Sequence, residues 1–152
     1  MERFKPQDPA FAKRIRASFA RQGVMAYIGA ELGDIAPGSC EIRLPYRPEL
    51  SQQHGFFHGG IVATIGDSAA GYAGFSLMPA DASVLTVEFK LNLITPADGE
   101  LLIARGRVLR PGRTLTVTQI DVAVVKGGVE RACATGLQTL MCLPGRPDVP
   151  AG

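Results

Sequence analysis

Cysteine and histidine are scarce in this 152-residue chain, with three of the first and two of the second. Cys40, Cys133 and Cys142 are odd in number and lack CxxC spacing, so neither a disulfide framework nor a zinc ribbon is indicated and reduced thiols are expected. His54 and His58 stand four apart, but Gly55 and two phenylalanines intervene, and no HExxH pattern or cluster of acids completes a metal site. No metal is expected. No histidine follows Gly66-Asp67-Ser68, which excludes a Ser-His-Asp relay in that order and leaves Ser68 as a small packing or capping residue. Neither sign of charge dominates: the formal net charge is +2, which argues against nucleic acid or a membrane surface as the main partner. No segment reaches the roughly 20 apolar residues of a membrane span, and the N-terminus lacks the apolar core of a signal peptide. A cytoplasmic protein is the expectation.

What is present is a 46% apolar chain long enough for one globular domain and too short for two. Phe11, Ile15 and Phe19, spaced by four among Lys and Arg, predict a short amphipathic helix over residues 9–22. Apolar runs at Met25–Leu32 and Cys40–Leu44, split by Ala36-Pro37-Gly38, predict a strand pair. A loop over Arg47 to Phe57 then leads to a helix from Gly60 to about Leu77. Its apolar residues lie on all sides, so it is expected to be buried, and its glycines and alanines permit close approach of a sheet or a second copy. Leu85, Val87, Phe89, Leu91 and Leu93 alternate with polar residues, the clearest strand signal in the chain. Three further strands are predicted over residues 100–110, 113–126 and 129–141, with Gly127-Gly128 as a two-residue hairpin turn. In the second of these the apolar phase slips from Leu115 and Val117 to Ile120, Val122 and Val124, which predicts a bulge or sharp bend near Thr118-Gln119. The Pro- and Gly-rich tail after Leu143 is expected to be disordered. Together these elements predict an α+β domain in which a curved antiparallel sheet enfolds a long helix.

Asp67 is the only charge between Gly59 and Ala80. An ionised carboxylate in so apolar a segment is either paired structurally, as an N-cap of a second helical piece after Gly66, or placed for chemistry. Phe56, Phe57, Tyr72, Phe75 and Met78 either line a pocket or fill the core.

Gln52, Gly55, His58-Gly59-Gly60, Asp67 and the strand Leu85-Thr86-Val87-Glu88-Phe89, ending at Pro96, occur together in an order that resembles the hotdog-fold acyl-CoA thioesterases of the PaaI-like branch associated with phenylacetate degradation. The resemblance covers roughly residues 23–140. It implies hydrolysis of an acyl- or aryl-CoA to the free acid and coenzyme A, with no cofactor beyond the coenzyme A carried by the substrate. It further implies that the Gly59 N–H polarises the thioester carbonyl, that Asp67 acts as nucleophile or general base, and that His58 and Gln52 assist. Gln52 stands where close relatives carry Asn, and an amide there can still donate to a carbonyl. Thr86 matches the hydroxyl residue that holds the acid or its water. Asp67 lies eight residues beyond Gly59, about 12 Å along a helix, so one chain cannot readily bring both to the same carbonyl. A homodimer with antiparallel helices, alone or as a dimer of dimers, solves this and is also what the resemblance implies. Arg105, Arg107, Arg110 and Arg113 gather near one hairpin, and Arg110, Gly112 and Arg113 are the candidates for the coenzyme A phosphates. On the same fold a non-hydrolytic acyl-CoA-binding or regulatory module is the alternative. A hydratase or dehydratase of acyl thioesters fits less well, because the acid here follows His-Gly-Gly.

Overall fold

The computed structural model describes residues 4–150. Two short helices, α1 (Phe11–Arg21) and α2 (Gly23–Ile28), precede β1 (Glu31–Ala36) and β2 (Ser39–Pro45). After a single 3-10 turn over Pro48–Leu50 comes α3 (Gly59–Phe75), and then β3 (Ser83–Leu93), β4 (Leu101–Arg110), β5 (Leu115–Lys126) and β6 (Val129–Leu143). The strands form one antiparallel sheet in the order β1-β2-β4-β5-β6-β3. The sheet wraps α3, which packs against β2 through β6. This is the hotdog arrangement.

The burial of α3 explains its composition. Ile65, Tyr72 and Phe75 are buried on one side of the helix and Gly66, Ala70 and Gly74 on the other. Close approach rests on glycine at both surfaces: a Cβ at Gly106 would lie 2.3 Å from the Ala70 Cα, and one at Gly74 would lie 2.3 Å from Leu140 Cδ1. One stripe of α3 is left uncovered, since Thr64, Asp67, Ser68 and Gly71 are only partly buried, and a Cβ at Gly71 would meet nothing.

Several sequence expectations change here. The run from Met25 is not a strand: Gly23–Ile28 is a helix that buries Met25 and Ile28, and Gly29 in the left-handed conformation (φ 81°) ends it before β1. The apolar phase slip in β5 is not a bulge at Thr118-Gln119, because pairing with β6 runs unbroken there. Thr116 and Thr118 simply occupy buried inward positions, in line with Ile120, Val122 and Val124. The irregularities lie on its neighbours, at Leu109 in β4 and Cys133 in β6. A further one lies at Val87 in β3, between Thr86 and Glu88. Beyond β6 the chain runs back towards α1, with Asp148 ion-paired to Arg21 at 2.9 Å.

Candidate active site

The N-terminus of α3 is built by the loop before it. The His58 N–H donates to the Leu50 carbonyl (2.9 Å) and the Phe57 N–H to the Ala97 carbonyl (3.0 Å), which fix where the helix begins. His58 is the N-cap: its backbone is extended and its Nδ1 accepts the Gly60 N–H at 2.8 Å. The Gly59 N–H, by contrast, meets no acceptor among the described residues. It opens on a cavity of about 410 Å³, lined in part by Gln52, Phe56, Phe57, Val62 and Leu93. Gln52 holds a tight turn: its Oε1 accepts the His54 N–H, and its main-chain carbonyl accepts from Gly55, whose φ of 81° suits glycine. The Gln52 Nε2 makes no hydrogen bond among the described residues and can donate to a ligand. An unpaired N–H at a helix N-terminus, beside a free amide, favours an oxygen that is gaining negative charge.

Asp67 sits in a different place. It lies two turns further along the uninterrupted α3, which removes the reading of Asp67 as an N-cap. Its Oδ1 accepts from Thr86 Oγ1 at 2.7 Å and from Gln138 Nε2. Oδ2 accepts no bond among the described residues. A separate cavity of about 90 Å³ touches Asp67, Gln22, Ser68, Gly71, Tyr72, Val84 and Thr86. Ser68 has no base beside it, and its hydroxyl donates to Gln22 Oε1 at 3.3 Å. Val87 explains how Thr86 reaches the acid. Before this extra residue Val84 and Thr86 share a face with Cys142 and Leu140; after it Phe89, Leu91 and Leu93 take that face. Strict alternation would place Thr86 with Glu88, so the irregularity moves the hydroxyl to the helix side.

The structure therefore gathers the expected residues into two groups, Gln52, His58 and Gly59 at one end of α3 and Asp67 and Thr86 near its middle. The aromatic candidates divide similarly. Phe56 and Phe57 line the larger cavity, Tyr72 touches the smaller one, and Phe75 is core at 0% exposure. Met78, with Gly112 and Arg113, lines a third cavity of about 350 Å³ beyond the C-terminal end of α3. The four arginines also separate: Arg105 pairs with Glu41 and Glu130, and Arg107 with Asp121, whereas Arg110 and Arg113 have no carboxylate partner among the described residues. A Cβ at Gly112 would lie 2.0 Å from the Leu115 carbonyl oxygen, so this turn requires glycine. Among the described residues no group of His, Cys, Asp and Glu could hold a metal ion, and no helix is long and apolar enough to cross a membrane.

Sequence reading missed Gln138 and Thr118. Both are inward and buried, at 1% and 0% exposure, and Thr118 Oγ1 donates to Gln138 Oε1 at 3.1 Å. Their signal was the polar residues standing in the inward phase of β5 and β6, which in β5 was read as a bulge.

Comparison with known proteins places this geometry. Residues 54–130 match the Thioesterase superfamily, a span that carries Gly59, Asp67 and Thr86. A candidate esterase of Halobacterium salinarum is 35% identical over 105 residues, covering 66% of this chain and 69% of that protein. The crystal structure of a thioesterase family protein from Silicibacter pomeroyi is 52% identical, with a TM-score of 0.88 over 89% of this chain and 99% of that one. The E. coli PaaI protein from the phenylacetic acid degradation operon shares the fold, with a TM-score of 0.80 at 15% identity over 93% of this chain and 99% of that one. With its helix-wrapping sheet and its match across the central helix, this chain belongs to the thioesterase superfamily and is a thioester hydrolase on the hotdog fold.

Proposed function

We propose that the protein is an acyl-CoA thioesterase whose active site is shared between two subunits. The thioester carbonyl oxygen accepts the Gly59 N–H of one subunit, assisted by Gln52, while His58 holds the helix start. Asp67 of the other subunit supplies Oδ2, which attacks the carbonyl carbon directly or removes a proton from the water that does. In the first case the C–S bond breaks as an Asp67–acyl anhydride forms, which water then hydrolyses to free acid and carboxylate; in the second the water oxygen itself bonds to the carbonyl carbon as the C–S bond breaks; in both, the sulfur takes up a proton and leaves as coenzyme A. Thr86 holds Asp67. Arg110, Gly112 and Arg113 take the phosphates of coenzyme A, which enters only as part of the substrate.

The observation that carries this reading is the separation of the two half-sites. An open carboxylate oxygen and an unpaired N–H stand on one helix about 12 Å apart, each facing its own cavity. Two helices meeting antiparallel across the uncovered stripe bring Gly59 of one opposite Asp67 of the other.

Complementation tests the reading. Asp67→Asn removes the carboxylate. Gly59→Pro removes the N–H at a first helical position, where proline is tolerated, and His58, with ψ 138°, already has the backbone a following proline requires. Each variant alone is expected to release no coenzyme A thiol from a panel of acyl-CoAs. After subunit exchange the mixture should regain about a quarter of wild-type activity, because half the dimers are mixed and each carries one intact site. No recovery after proven exchange argues against a shared site. Wild-type binding of acyl-CoA without hydrolysis would instead favour a non-hydrolytic module. First-turnover incorporation of labelled water oxygen into product separates the two roles of Asp67.

A further inference from the structure

The polar residues buried behind Asp67 lack an explanation in packing. Gln138 stands on β6 in register with Phe89 of β3 and Thr118 of β5, and the inward positions on either side of it along β6 are Gly136 and Leu140. A primary amide at 1% exposure is destabilising unless every donor and acceptor is used. Here they are used. Nε2 donates to Asp67 Oδ1 and to the Asp67 main-chain carbonyl, the latter at 3.2 Å, and Oε1 accepts from Thr118 Oγ1 at 3.1 Å. Chemistry fixes the orientation of the amide, since a carboxylate and a carbonyl can only accept and must face the NH₂ group. That leaves Oε1 towards Thr118, whose hydroxyl donates.

We infer that Gln138 is a positioning residue for Asp67, itself locked by Thr118, and that the pair selects which carboxylate oxygen reacts. This rests on the reading of Asp67 as the reacting carboxylate. With the Gln138 amide and the Thr86 hydroxyl both on Oδ1, rotation of the carboxylate is blocked and Oδ2 is the oxygen presented to the cavity. Thr86 is solvent-exposed and lies on an edge strand, so it restrains the acid from the accessible side. Gln138 restrains it from the dry side and anchors its backbone as well. The fixed geometry is what allows a single oxygen to meet a carbonyl held by another subunit, where small displacements are costly.

The test is a cycle of variants measured for kcat, KM and thermal stability with one acyl-CoA that the wild type hydrolyses. Gln138→Leu keeps the volume and removes the amide; kcat is expected to fall on the order of 100-fold, the loss that a misplacement of about 1 Å can bring, with KM unchanged. Thr118→Val keeps the shape and frees the amide to rotate; kcat should fall about tenfold, as for one orienting hydrogen bond, with a modest loss of thermal stability because the buried Gln138 Oε1 is left unpaired. The double variant should be no slower than Gln138→Leu. Thr118→Val serves as the test even if Gln138→Leu fails to fold. The inference is overturned if Asp67→Asn is inactive while Gln138→Leu or Thr118→Val retains wild-type kcat, or if the two losses multiply. Wild-type activity in Asp67→Asn would overturn the reading of Asp67 together with this inference.

Discussion

At the scale of single residues, burial decides which groups react. Burial pushes the Cys40 thiol up to about 12 and the Cys133 thiol up to about 11, and raises Cys142 as well. All three are buried and free. We expect no reaction with an aromatic disulfide reagent at about pH 8 while the protein is folded, and reaction of every thiol after denaturation. The same reagent can therefore follow coenzyme A release without a background from the enzyme. The sign of the linkage follows. The folded-state values lie above the ordinary thiol value of 9.0, so this stabilisation is complete below about pH 9 and is lost as pH rises towards 11 for Cys133 and 12 for Cys40. A denaturation midpoint that rises between pH 9 and 12 would contradict it. Thr86 gives a second residue-level prediction. Thr86→Val should lower kcat about tenfold while Thr86→Ser retains it, because the hydroxyl donates to Asp67 and the methyl does not.

At the scale of elements, α3 serves a sheet on most of its surface and leaves one stripe free, and its glycines report which is which. Gly106→Ala in β4 drives a methyl into the α3 backbone and should cost about 3 kcal/mol by denaturant titration. Gly71→Ala meets open space in the chain and gains helix propensity of about 1 kcal/mol, so the chain's own stability should not fall. Equal destabilisation by the two would show that α3 is enclosed on every side. Periodicity located α1, α3 and the later strands because their burial follows a regular repeat. It failed at Met25–Leu32, where apolar residues at i and i+3 of one helical turn look like part of an apolar run. It also misread β5, where buried threonines that face Gln138 and the cavity near Gly112 look like outward residues.

At the scale of the whole molecule, β3 closes one edge of the sheet with apolar side chains exposed on both of its faces. Leu85, Val87, Phe89 and Leu93 are 57%, 54%, 44% and 58% exposed in the single chain, more apolar surface than an edge strand normally leaves to water. This edge adjoins the Asp67 face of α3 through Thr86, so a second copy that covers one covers the other. Phe89→Glu is expected to yield monomers by light scattering and, in the same preparation, to abolish thioester hydrolysis, since neither half-site then has its complement. Active monomers would refute the shared site. Arg113 can be tested at the same scale: Arg113→Ala should raise KM for acyl-CoA, yet leave KM unchanged for a thioester of the same acyl group that lacks the coenzyme A phosphates.

The order of residues was enough to determine the enfolded helix, the sequence of later strands, the His58-Gly59 helix start and the isolation of Asp67, because each depends on local periodicity, on backbone freedom or on spacing along one helix. Tertiary structure decided the rest. Which face Thr86 occupies depends on one extra residue, Val87, in a pairing between β3 and β6. That Gln138 and Thr118 stand behind Asp67 depends on the register of three strands, 71 residues separating Gln138 from the acid it holds. Such contacts follow from long-range pairing, and the one-dimensional pattern records them only as polar residues where apolar ones were due.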